Sequence, residues 1–511
     1  MTDARPGPGT VVTLSLVAHT NVGKTTLART LLRRDVGEVL DQAHVTVVTE
    51  PHDVLSADGA RLVLEDTPGF GDSARLLKRL RAQGNPLGWF AHQVWDRFRD
   101  RPLYCAQQAV ASVRDRADVV LYLVNATERP EDAGYVAPEM EILAWAGRPV
   151  LLLLNQTGAT PDPSVPATWR AWAQAHPHVK DVLSLDAFTR CWVEERTLYE
   201  RAAALVPPGK QPAMKALLAA WDREARSALT TSADAIAAYL VRAAADRVAL
   251  PEKAGKADRT AAMEALTTRT SAATRGLVAT LLGAHGLDAA DAARSAAVIE
   301  ERLDDFAVKG LKGPDGKKSA LWGGILSGAL SGLAADLAAG GLSFGGGAVI
   351  GAIVGALGGA SLPKVYALAG RSGPPSVGWS DDGLGRFARG AVARYVAVAH
   401  FGRGRGAWKD LALPATLEAA VGETFARHER SVLGALAAAR AAGDAEASAR
   451  AKVAAAQATN AWLRDLLRHS TPPAAPAPLT GHRGASVSFA SSPARTVATA
   501  DQIASPTRAR A

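Results

Sequence analysis

The sequence is poor in cysteine, with Cys105 and Cys191 the two in 511 residues. A disulfide framework is excluded, as is a zinc site built from several thiolates, and a reducing compartment is the expected setting. Aromatic residues are also scarce, at 5% of the chain against 48% apolar residues, so alanine, leucine, valine and 47 glycines carry the apolar content. That balance points to closely packed helices. Four methionines are too few for an adaptable Met-rich groove. The excess of positive charge is small, +8 from 58 Lys and Arg against 50 Asp and Glu scattered along the chain, and no nucleic-acid partner is expected from it. The first residues, MTDARPGPGT, have no basic stretch leading into an apolar one, so no secretory signal and a cytoplasmic setting are expected. His19, His44, His92 and His400 stand at no metal-ligand spacing and read as structural or exposed.

The length suggests two to four domains. After a flexible start at residues 1–10, residues 11–205 alternate short β-type runs with helical patterns, as a parallel sheet covered by helices does. The runs are VVTLSLV (11–17), HVTVV (44–48), RLVLED (61–66), DVVLYLV (118–124), PVLLLLN (149–155) and DVLSL (181–185). They predict an α/β fold, a three-layer domain of the nucleotide-binding kind followed by a mainly α-helical domain. A helical insertion between Ser73 and Arg116 carries Trp89, Phe90, Trp95, Phe98 and Tyr104, which read as core packing or as a partner-binding element. Helical spacing continues over residues 214–308 and again over 384–469, around a Gly/Ala-rich apolar segment at 319–362. Residues 471–511 are rich in Pro, Ala, Ser and Thr and are expected to be disordered.

Directly after the first strand comes AHTNVGKT, Ala18 to Thr25, followed by a helical run. A phosphate loop needs small residues whose backbone N–H groups converge on phosphate oxygens, a lysine for the β- and γ-phosphates and a hydroxyl for Mg2+. Gly23, Lys24 and Thr25 supply these, and Asn21, Val22 and Thr26 complete the candidate nucleotide-binding loop at the positive end of a helix. The third strand runs into Asp66-Thr67-Pro68-Gly69, where nucleotide switches keep an Asp for the Mg2+ shell and a Gly that senses the γ-phosphate. Alone, D-x-x-G is a common turn; behind a phosphate loop it is specific.

At these residues the chain resembles bacterial GTPases of the Era and MnmE type, in the translation-factor-related class. It also resembles a bacterial family in which such a domain precedes a long helical region with a glycine-rich apolar segment. LDAFTRCW (185–192), ALWGGILSGALSGLAADLAAGGLSFG (320–345) and YVAVAHFGRGRGAW (395–408) extend that likeness over most of the chain outside the tail. The resemblance implies GTP/GDP as ligand, Mg2+ as cofactor and a nucleotide switch whose carboxy-terminal part is membrane-associated or partner-binding, with a nucleotide-dependent dimer as one assembly. Lys24, Thr25, Asp66 and Gly69 match the family's positions, and Asn155 matches the asparagine of its base-reading motif. Thr46, with Thr49 as the alternative, stands for the switch threonine that joins Thr25 and Asp66 at the metal. Asn21 occupies the place where potassium-activated members hold K+ beside the phosphates; the other reading is an Asn chosen for a left-handed turn. Lys24, Asn21 and Thr46 are thus the candidate catalytic groups.

Two departures limit the carry-over. Phe70 follows the D-x-x-G glycine where some GTPases place a glutamine that orients water, so low or partner- or K+-dependent activity is expected. Gly158 stands where a carboxylate would read guanine after Asn155, and Asp162 is a possible substitute or a solvated loop acid. An adenine-specific variant therefore stays open. Ser184 to Ala187 sits where backbone contacts to the base would fall.

Gly324, Gly328 and Gly332, then Gly347, Gly351, Gly355 and Gly359, recur every four residues and so share a helical face that lets backbones approach closely. Two arms of this length, flanked by Lys309, Lys312, Lys317, Lys318, Lys364 and Arg371, suit a glycine-zipper hairpin at the cytoplasmic face of the inner membrane. A buried soluble hairpin is the competing reading. The sequence thus leaves two function classes: a GTP-hydrolysing switch, and a membrane scaffold or pore-like assembly that binds nucleotide and scarcely hydrolyses it.

Overall fold

The computed structural model describes residues 9–32, 50–82, 101–155, 164–185, 192–286, 366–369, 375–399 and 415–469. The expected second strand at 44–48, the insertion aromatics Trp89, Phe90, Trp95 and Phe98, the glycine-zipper segment and the tail lie outside these residues.

Six strands form the first sheet: β1 (Thr10–Ala18), β2 (Glu50–Ala57), β3 (Ala60–Asp66), β4 (Val119–Asn125), β5 (Val150–Asn155) and β6 (Val179–Ser184). Their order is β2-β3-β1-β4-β5-β6. β5 is VLLLLN with every residue buried, the near-continuous apolar run that a parallel strand covered on both faces requires. The sheet departs from the all-parallel expectation at its edge, where β2 pairs antiparallel with β3. Asp58 and Gly59, with φ of 50° and 76°, form the two-residue link, because a tight hairpin twisted to match its strands needs left-handed backbone at both central positions.

Helices cover both faces. α1 (Lys24–Leu32) and α6 (Trp192–Ala203) lie on one side, and α2 (Ser73–Ala82), α3 (Arg101–Arg116), α4 (Val136–Ala146) and α5 (Ser164–Ala173) on the other. Alternation in β1 sends Val12, Leu14 and Leu16 into the first core and Val17 into the second.

A 35-residue helix, α7 (Gln211–Ala245), joins this layer structure to the helical region. Met214, Leu217 and Trp221 pack in the core of β1 and β3, whereas Leu229, Ile236 and Leu240 belong to a second core. At 1.5 Å per residue the helix runs for about 50 Å. Its start is pinned by Lys210 Nζ, which donates to Asp118 Oδ2 at 2.7 Å, while the same carboxylate accepts from the Thr13 backbone N–H at 2.8 Å.

The second core is made by α8 (Lys256–Ala284), α9 (Asp381–Ala399), α10 (Ala415–Ala441) and α11 (Ala445–His469) around the far half of α7. A small antiparallel sheet, β7 (Arg247–Ala249), β8 (Tyr366–Ala369) and β9 (Ser376–Trp379), lies beside them in the order β7-β9-β8. Ala237, Ala435 and Ala455 meet where α7, α10 and α11 approach, which is the close packing the alanine-rich composition implies. Two buried tryptophans of this region are anchored by hydrogen bonds: Trp379 Nε1 donates to Thr270 Oγ1 at 3.1 Å and Trp462 Nε1 to Thr424 Oγ1 at 2.9 Å. Among the described residues no helix is long and apolar enough to cross a membrane.

Candidate functional site

The parallel register of β1 and β3 pairs Leu16 with Asp66, so the loops that leave these two strands emerge side by side. That is the crevice at the carboxyl ends of the strands where open α/β sheets bind ligands. After Ala18 the chain turns through Asn21, with φ of 66°, and Gly23, with φ of 95°, before α1 opens at Lys24. The Leu27 N–H closes the first helical turn on the Gly23 carbonyl at 3.0 Å.

Lys24 is 7% exposed and Asp66 2%, and their side chains form an ion pair. Thr25 Oγ1 donates to the other oxygen of the same carboxylate, Asp66 Oδ2, at 3.1 Å. Two neighbouring residues of the phosphate loop thereby converge on the first residue of D-T-P-G. A buried ammonium and a buried carboxylate are each costly in isolation, so their proximity satisfies both. The hydroxyl and carboxylate oxygens are hard donors of the kind Mg2+ takes, and the lysine beside them is a point charge suited to phosphate. The residues present therefore fit a Mg2+–nucleotide.

The rest of D-T-P-G follows the end of β1. Thr67 Oγ1 donates to the Leu16 carbonyl at 2.8 Å, and the Phe70 N–H donates to the Ala18 carbonyl at 3.0 Å. A Cβ at Gly69 would lie 3.3 Å from Thr20 Cγ2 and 3.4 Å from Thr20 Cα, so glycine here lets the segment lie against the phosphate loop. Phe70 is fully buried with Val17, Leu76 and Tyr122, and its ring is a core side chain. Asn155, also fully buried, donates through Nδ2 to the Val22 carbonyl at 2.8 Å. Val22 and Thr26 are buried under the loop and in the first turn of α1. Thr46, Thr49, Gly158 and Asp162 lie outside the described residues.

One group escaped the sequence reading. His19, which the sequence reads as structural or exposed, has its Nδ1 2.7 Å from Glu139 Oε1 and its ring stacked on Tyr135 at 4.4 Å, a pairing that no sequence spacing announces. Tyr122 donates its hydroxyl to Glu139 Oε2 at 2.6 Å. Burial pushes the Glu139 carboxyl above its usual range against the pull of its hydrogen-bond donors. Burial, with the adjacent Glu139 charge, pushes the Tyr122 hydroxyl well up. The signal was present: Val136, Glu139, Met140 and Leu143 share one face of α4, so a carboxylate stands on the buried stripe of an apolar helix.

Comparison with known proteins assigns the two parts of the chain separately. Residues 13–156 match the family described as 50S ribosome-binding GTPase. GTPase Der of Mycobacterium ulcerans is 29% identical over 178 residues, covering 35% of this chain and 31% of that protein. The chain thus spans under a third of the length of that curated relative. Among solved structures, Aquifex aeolicus Era bound to GDP·AlF4− is similar with a TM-score of 0.30 at 20% identity, over 39% of this chain and 57% of that one. Era in complex with MgGDPNP and a piece of 16S ribosomal RNA gives the same values, TM-score 0.30, 20% identity, 39% and 57%. Residues 173–464, more than half of the chain, match the family described as Domain of unknown function (DUF3482), which begins in α5 and runs through the second core into α11. The chain therefore belongs to the DUF3482 family and carries that domain behind an α/β domain of the P-loop GTPase fold.

Proposed function

We propose that the chain is a nucleotide-dependent switch that binds and hydrolyses GTP with Mg2+ and passes the state of the bound nucleotide to its helical region. The observation that carries this reading is the convergence of Lys24 and Thr25 on Asp66, with Gly69 against Thr20. Lys24 would hold the β- and γ-phosphates, the backbone N–H groups from Asn21 to Thr26 would cradle them, and Thr25, Asp66 and the switch residue Thr46 would hold the metal. Mg2+ held there would supply neutralisation of the charge that develops on the phosphates. Hydrolysis breaks the bond from the bridging oxygen to the γ-phosphorus as water adds there, giving GDP and phosphate.

Phe70 has no polar atom on its side chain and is packed in the core, so water must be oriented by another group. Turnover is accordingly proposed to be slow alone and to depend on K+ held by Asn21 or on a partner. The same observation favours a second reading, a scaffold that binds nucleotide and retains it. Multiple turnover excludes that scaffold; stoichiometric retention of intact nucleotide supports it over the switch.

The route to the helical region is proposed to be α7. Leu55 of β2 and Leu62 and Leu64 of β3, the hairpin that leads into D-T-P-G, share a core with Met214, Leu217 and Trp221 of that helix. A shift of the hairpin on γ-phosphate binding would bear on a rod that continues into the second core. Residues 319–362 are proposed to engage the inner membrane or a membrane partner, on their four-residue glycine spacing and basic flanks. Sedimentation with liposomes containing anionic lipid tests this, with loss of binding expected on deletion of 319–362 and unchanged binding contradicting it.

The choice of base is tested by competition on the full chain. Unlabelled GTP is expected to displace labelled GTP far better than ATP does. Equal displacement would replace GTP specificity with the adenine-binding alternative that Gly158 leaves open.

A further inference from the structure

Glu139 is fully buried on α4, where a carboxyl group persists only with hydrogen-bond donors around it. Its hydrogen-bond partners come from two separate elements. Tyr122 belongs to β4, inside the sheet. His19 is the first residue after β1 and opens the phosphate loop, and its backbone forms a parallel bridge with Phe70, the residue after D-T-P-G. One carboxyl group, anchored to the sheet by Tyr122, thus holds the start of the phosphate loop at the residue where that loop meets the end of the D-T-P-G segment.

The His19 side chain is not among the groups proposed to face Mg2+ or phosphate. The geometry nevertheless ties together the two segments whose relative position decides where Lys24, Asp66 and Gly69 stand. Tyr135 closes the outer face of the His19 imidazole by stacking on it, which limits the ring's freedom to leave the carboxyl group.

We infer that Glu139 is a positioning residue for hydrolysis: through His19, whose backbone bridges to Phe70, it latches the phosphate loop to the D-T-P-G segment and fixes the register in which the γ-phosphate is attacked. This rests on the GTPase reading for its kinetic consequence, while the latch itself is independent of nucleotide. Nucleotide affinity depends chiefly on Lys24, Thr25 and the loop backbone, so loss of the latch lowers kcat and leaves KM nearly unchanged.

The test uses the full chain with Glu139→Gln, which keeps the side-chain volume, and His19→Ala, at a side chain that is 27% exposed. Amide hydrogen exchange without nucleotide reads the latch directly: exchange at residues 19–23 and at Phe70 is expected to be faster in both variants. Unchanged exchange there overturns the latch whatever the protein does with GTP. Steady-state kinetics then read its consequence. A fall in kcat of about tenfold or more, the order expected when a charge-assisted hydrogen bond that positions a loop is lost, with KM within about threefold, supports the positioning role. Equal kcat in variant and wild type overturns it. The double variant should be no slower than the slower single one, because both changes open the same link. Faster exchange in the variants, beside a wild-type chain that hydrolyses no GTP, defeats the GTPase reading and with it the positioning role, leaving the latch in place.

Discussion

Asn155 reaches from the end of β5 to the phosphate loop and donates its side-chain amide to the Val22 carbonyl at 2.8 Å. The residue that resemblance assigns to base recognition is therefore also a clamp on the loop that would hold the phosphates. Its Nδ2 stands 2.7 Å from where a Cβ on Gly23 would be, so the clamp and the loop glycine are fitted to each other.

Gly23→Ala is expected to destabilise the chain and remove nucleotide binding together. The backbone there has φ of 95°, which costs an L-residue about 1–3 kcal/mol, and the new methyl also strikes Asn155. Gly134→Ala is the control: no atom lies within 4 Å of its Cβ position. Thermal unfolding of both variants checks this, and a Gly23→Ala protein as stable as Gly134→Ala would contradict the loop geometry.

Asn155→Ala separates the two roles of that side chain. Loss of the clamp frees a buried carbonyl, at a cost of about 1–2 kcal/mol, and is expected to weaken GTP and ATP binding by a similar factor. A change confined to GTP would instead assign Asn155 to the base alone. Titration of the variant with both nucleotides decides it.

Asn21 has two readings that one substitution distinguishes. Its φ of 66° suits asparagine or glycine, so Asn21→Gly keeps the backbone and deletes the amide. If the side chain holds K+, hydrolysis by wild type is faster in K+ than in Na+ and Asn21→Gly loses the difference. Equal rates in both salts for wild type, or retained stimulation in the variant, reduce Asn21 to a turn residue.

His178 makes stability depend on pH. Burial, with the positive charges of His176 and Lys180 adding to it, pushes its imidazole down to about 4. The unfolded chain, with a value near 6.5, takes up the proton first, so stability from this group is complete above about pH 6.5 and is lost as pH falls towards about 4. The loss amounts to about 1–3 kcal/mol after allowance for partial exposure. Urea unfolding across that range is expected to give a flatter pH dependence for His178→Gln than for wild type; identical slopes would contradict it.

Legibility in the sequence followed the strength of the local signal. β4 and β5 were readable because a strand covered on both faces is an uninterrupted apolar run. β2, EPHDVLSA, is an exposed edge strand with a single buried residue, Leu55, so it has no run to find, although Asp58-Gly59 marks its turn. The convergence of Lys24 and Thr25 on Asp66, with Gly69 against the loop, was readable because the phosphate-loop and D-x-x-G motifs keep residue types at fixed spacings. Glu139 was missed because its partners, His19 and Tyr122, are brought together by the sheet and follow no sequence spacing. The division of α7 between two cores was equally hidden, since an alanine-rich helix carries the same pattern on both sides of the junction.

The central claim is that Lys24, Thr25 and Asp66 form a Mg2+–nucleotide site. The most direct test is equilibrium binding of a fluorescent GTP analogue, with Mg2+ present, to the full chain and to Lys24→Ala, each first shown to unfold cooperatively. Wild type is expected to bind saturably and the variant at least about 100-fold more weakly, as loss of charge-assisted contacts to two phosphates implies. Equal affinity in a folded Lys24→Ala protein would contradict the assignment of this loop as the phosphate site.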